Sequence, residues 1–131
     1  KSRFLHRLLL AYPRPEKSIF QPNGFPGGLP IRQSERSECG LACLAMVANF
    51  HGSQIDLLWM RQRFPTSTSG TTLKDLIHIA DMLGFSARAL RAEIQKLKDL
   101  SLPAILHWDL NHFVVLTKIH RGYAHVIDPA S

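Results

Sequence analysis

An α+β fold, with N-terminal helices packed on an antiparallel sheet, is predicted by three features of this sequence. Apolar residues recur at helical spacing between residues 38 and 83. Helix caps and stops bracket those stretches at fitting positions. Three short runs rich in β-branched and aromatic residues then follow between 104 and 127, two of them joined by a tight turn. Helices first and an antiparallel sheet after is the α+β pattern.

Residues 1–30 read as a proline-rich lead-in segment, and residues 31–131 as the folded domain. Pro13, Pro15, Pro22, Pro26 and Pro30, with Gly24, Gly27 and Gly28, leave room only for a short helix around 3–11 and a turn at Gly27-Gly28. Compact patterning starts at Ile31. Ser37 is placed to cap a helix over 38–51, with Glu38 at its positive end and Gly52 as its stop. Cys43, Leu44, Val47 and Phe50 define one apolar face of that helix. Asp56 caps a second helix over 57–63, closed by Pro65, and 67–71 is a polar loop. Thr72 and Asp75 form a capping box for a third helix over 73–83, ended by Gly84. A weak strand over 85–90 and a short helix over 92–98 come next. Strands over 104–108, 112–119 and 123–127 complete the chain, the last two turning at Arg121-Gly122.

Composition excludes several classes. The 131 residues suffice for one domain with a real core, and 45% hydrophobic with 20% charged residues is ordinary for a folded chain. No apolar run approaches the roughly 20 residues of a membrane-spanning helix, and the basic opening lacks a signal-peptide cleavage pattern. The chain starts at Lys1 rather than Met, which suggests a trimmed terminus. A net charge of +6 comes from scattered Lys and Arg without interleaved aromatics, so nucleic acid is not an expected partner. Two cysteines four positions apart do not make a disulfide framework and suit a reducing compartment.

Four residues could carry chemistry. Cys39 falls in the predicted first turn of its helix, where unsatisfied amides favour thiolate and lower the thiol pKa. Gly40 beside it leaves room for a substrate backbone. Cys43, one turn deeper, reads as a small core residue. Among seven histidines, His112 is distinct because it opens the apolar strand Phe113-Val114-Val115-Leu116. A strand-borne imidazole facing a helix-borne thiol is a nucleophile–base arrangement, although a strand histidine is often simply packed. Asp128 follows the last strand, and pairing of the 112–119 and 123–127 strands would bring it beside His112. Taken alone, Asp128-Pro129 could merely end a strand. Gln33, six residues before Cys39, could aim its side-chain amide at an oxyanion, with the Cys39 amide as second donor; without the cysteine it would be a surface glutamine. No CxxC pair, HExxH spacing or phosphate-binding loop is present, so no metal or other cofactor is expected.

The stretch Gln33-Ser34-Glu35-Arg36-Ser37-Glu38-Cys39-Gly40-Leu41-Ala42-Cys43-Leu44-Ala45-Met46, with His112-Phe113-Val114-Val115-Leu116 and Asp128-Pro129, resembles the C39 peptidase domains. These stand at the N-terminus of peptidase-containing ABC transporters, including the colicin V type exporter. The resemblance spans about 31–130 and implies a papain-like fold with Cys39 as nucleophile, His112 as general base and acid, Asp128 as its orienter and Gln33 as oxyanion donor. It implies cleavage after double-glycine-type leaders of bacteriocin and other secreted precursors, coupled to export, at the cytoplasmic face of the cell membrane. Its partners would be the leader-containing precursor and the membrane and ATP-binding domains of the same transporter. The isolated domain is expected to be monomeric. Trp108 and Phe113 are candidate walls of a cleft narrow enough to select glycine. A rival reading is a catalytically idle C39-like docking domain that only binds transport substrate; another papain-type enzyme, such as an acyltransferase, is a third.

Overall fold

Helix α1 (Cys39–Phe50) is buried from Cys39 through Asn49, so it is a core helix rather than one with a single apolar face. Its composition allows this, because Leu41, Leu44, Met46 and Val47 alternate with small Gly40, Ala42, Cys43, Ala45 and Ala48. In the computed structural model, which describes residues 6–14, 38–65, 71–93, 96, 102–109 and 112–130, α1 packs against two further helices and the sheet. Helix α2 (Leu57–Arg63) starts as expected, with the Asp56 carboxylate accepting the Trp59 amide at 2.8 Å. Helix α3 (Leu73–Met82) carries the full Thr72/Asp75 capping box. Buried Asn49 pins the α1–α2 connection by donating to the Ile55 carbonyl at 2.7 Å and accepting the Ile55 amide at 2.8 Å.

Among the described residues, five antiparallel strands lie in the order β2-β1-β3-β4-β5. They are β1 (His6–Pro13), β2 (Phe85–Ala92), β3 (Ala104–Asp109), β4 (His112–His120) and β5 (Tyr123–Ile127). The short helix expected around 3–11 is therefore wrong. Residues 6–13 are a strand hydrogen-bonded on both sides, Leu9 pairing with Ala89 of β2 and Ile105 of β3. Leu9 packs with the helices, while Leu8 packs on the opposite face with Leu106, Val114 and Leu116. A strand buried on both faces needs an unbroken apolar run, and so does a buried helix. Residues 15–30 of the expected lead-in lie outside the described residues.

The β4–β5 hairpin closes through Arg121 and Gly122, both at positive φ (52° and 80°), the two-residue turn whose twist matches paired strands. Val115 pairs with Ile127 and Leu116 with Val126, with an irregularity at Thr117, whose hydroxyl donates to the His125 carbonyl at 3.0 Å. Strand β2 runs two residues beyond the expected end. Of the short helix expected over 92–98, Ala92 instead ends β2, and Glu93 and Lys96 are the other described residues, joined by one turn bond of 3.0 Å.

Candidate active site

Three element ends converge: the first residue of α1, the first of β4 and the residue after β5. Cys39 opens α1 and is 4% exposed. The backbone amides of Phe113, Gly40 and Cys39 itself lie close enough to its sulfur to favour thiolate. Burial nevertheless outweighs them and, with a smaller contribution from the Asp128 charge, holds the Cys39 thiol above the ordinary cysteine range. The lowered pKa expected from the helix terminus is thus corrected. The amides act in the expected direction, but desolvation is the larger effect.

His112 Nε2 and Asp128 Oδ1 are 2.8 Å apart, with both side chains partly exposed. The hairpin register explains the meeting, since Ile127 pairs with Val115 and the chain beyond it runs back toward the start of β4. Asp128 Oδ1 also accepts the Ala130 amide at 2.8 Å, which fixes the carboxylate in a local turn. With Nε2 engaged, Nδ1 is the imidazole nitrogen left to exchange a proton with another group. His112 immediately precedes Phe113, whose amide reaches the Cys39 sulfur, so thiol, imidazole and carboxylate belong to one neighbourhood.

Other expectations change. Gly40 does not open space for substrate: a Cβ there would come within 3.2 Å of Leu76 and 3.5 Å of Phe113, so its missing side chain lets α3 and β4 close on α1. Phe113 is 2% exposed and stacks on His107 with ring centroids 4.6 Å apart, so it lines the core rather than a cleft. Trp108 is 53% exposed. Gln33 and Ser37 lie outside the described residues. Glu38 makes no side-chain capping bond to α1; its buried carboxylate meets the Arg61 guanidinium of α2 through both Nε and Nη2, the latter at 3.1 Å from Oε1. Sequence reasoning missed Arg61, because nothing in local patterning links a surface-like helix arginine to a residue 23 positions earlier.

Comparison with known proteins settles the family. The pattern of the peptidase C39 family matches residues 29–131. The chain belongs to the peptidase C39 family. This C39 chain is 47% identical over 100 residues to the colicin V secretion/processing ATP-binding protein CvaB of Escherichia coli, an alignment covering 76% of the chain and 14% of that protein. It is 34% identical over 103 residues to the transport/processing ATP-binding protein ComA of Streptococcus pneumoniae, covering 74% and 14%. An uncharacterized protein of Methanothermobacter marburgensis is 31% identical over 113 residues, covering 86% of this chain and 80% of its own length. The chain thus spans about one seventh of the secretion and transport proteins it matches (14% of each).

Proposed function

We propose that this C39 domain is a cysteine peptidase that removes double-glycine-type leader peptides from secreted precursors, as the processing part of an ABC exporter. The observation that carries this reading is the 2.8 Å bond between His112 and Asp128, set beside a helix-opening cysteine whose sulfur is approached by the Phe113 amide. In the proposed reaction the resting thiol is neutral, in keeping with the direction of its pKa. As Sγ attacks the scissile carbonyl, His112 Nδ1 takes the thiol proton and Asp128 holds the resulting imidazolium through Nε2. The same proton passes to the leaving amine. Water then attacks the thioester, giving a proton to His112; the C–S bond breaks, His112 returns that proton to the Cys39 sulfur, and the leader leaves with a new carboxylate.

Gln33 is the proposed donor to the oxyanion, together with the Cys39 amide. The names of the secretion and processing relatives support a peptide precursor as substrate and a membrane exporter as the larger assembly, with the domain at its cytoplasmic face. The test is incubation of the domain with the precursor encoded nearest its gene, followed by mass analysis. Cleavage directly after a small-residue pair is the expected result; an intact precursor with a folded domain would contradict the reading.

A further inference from the structure

The start of α1 poses a problem that the fold solves with a residue from another helix. Glu38 occupies the N-cap position, where a short polar side chain ordinarily accepts the amide of the second or third helical residue, here Gly40 or Leu41. A negative side chain at that end is also favoured by the helix dipole. The Gly40 amide is one of those that lie close to the Cys39 sulfur. A capping carboxylate and a thiolate would therefore compete for one donor, and their charges would repel.

Glu38 does not cap. Although 2% exposed, its carboxylate is turned to the side-on fork of Arg61, which contacts both carboxylate oxygens. Such a two-pronged pair is directional as well as attractive, which a lysine cannot reproduce. We propose that Arg61 is a positioning residue for the cysteine site: its fork holds the Glu38 carboxylate away from the first-turn amides of α1, leaving them to the Cys39 sulfur. The inference rests on the reading of Cys39 as nucleophile only for its biological meaning. Its physical content concerns the ionisation of Cys39, whether or not the domain cuts a peptide. The other titratable groups nearby are Asp128 beyond β5, whose charge opposes thiolate, His112 on β4, which is bonded to Asp128, and Cys43 one turn deeper in α1.

The test is a pH titration of thiolate ultraviolet absorbance on the whole chain, each variant read against the same variant carrying Cys39→Ala. Arg61→Met should raise the Cys39 midpoint by about half a unit to one unit, as the released carboxylate takes the Gly40 amide. Glu38→Gln added to Arg61→Met should bring the midpoint back to within about a quarter of that rise, because an amide has no charge to oppose thiolate. Arg61→Lys, which keeps the charge without the fork, should give a smaller rise in the same direction and serves if Arg61→Met does not fold. A purely structural ion pair would lower the melting temperature of these variants without moving the midpoint. An unchanged midpoint in a folded Arg61 variant, or a rise that Glu38→Gln fails to reverse, would overturn the proposal. Because no substrate enters the measurement, failure here is separate from failure of the peptidase reading.

Discussion

Cys39 and Cys43 sit one turn apart on the same helix, both buried at 4% and 0% exposure, yet their surroundings differ in kind. Burial raises both thiols. At Cys43 burial is the largest cause and nothing opposes it, the charges of Cys39 and Asp128 adding to it, so the thiol is pushed well above its ordinary range. At Cys39 three backbone amides pull the other way, one of them from the strand that carries His112. Burial alone therefore does not mark a reactive cysteine. What separates the two is access to the unsatisfied amides at a helix start, which act on Cys39 and not on Cys43.

The largest expected effect breaks that contrast outright. Cys39→Ala should abolish leader cleavage while leaving leader binding in place, whereas Cys43→Ser should stay active and lose about 1–3 kcal/mol of stability from an unsatisfied buried hydroxyl. Peptide cleavage assays beside thermal melts check both. A dead but folded Cys43→Ser with an active Cys39→Ala would reverse the assignment.

Next in size are the groups proposed to serve Cys39. His112→Ala should lower kcat about 10⁴-fold, and Asp128→Asn about 10³-fold, because an amide holds the ring but stabilises imidazolium poorly. Equal turnover by His112→Ala and the natural chain would remove the triad. Gln33→Ala should cost about 10²–10³ in kcat with KM nearly unchanged, since an oxyanion donor acts only once charge develops. A loss confined to KM would show that Gln33 only binds.

Much of this site was legible because its signals are local. Asp56, the Thr72/Asp75 box and the Arg121-Gly122 turn each state a helix start or a hairpin within a few residues, and α2 and β5 fall where expected. The meeting of His112 with Asp128 followed from one hairpin. Other features depend on distant partners and have no local signature. Leu8-Leu9-Leu10-Ala11 became an inner strand because β2 and β3 flank it, and Glu38 gave up capping because Arg61 reaches it from α2. The sign of the Cys39 shift was misjudged for the same reason: helix position is readable in sequence, but depth of burial is set by α3 and β4 closing over Gly40.

That closure gives a smaller test on the Cys39 side. Gly40→Ala would push a methyl against Leu76 and Phe113, with the nearest contact at 3.2 Å, and should lower stability by about 1–3 kcal/mol on thermal melting. An unchanged melting temperature would mean that Leu76 moves aside freely. The smallest effect belongs to Cys43. Its folded pKa is raised, so the stability it contributes is present below the ordinary cysteine pKa and is lost as pH rises toward the folded value. Cys43→Ala should therefore flatten the alkaline decline in melting temperature; an identical slope would mean that other groups cause it.

The most direct measurement of the central claim is to quench the domain with its precursor in acid during turnover and locate the covalent acyl group by fragmentation mass spectrometry. The account predicts a leader thioester on Cys39, present in Cys43→Ala and missing in Cys39→Ala. A thioester on Cys43, or cleavage that continues in Cys39→Ala, would contradict it.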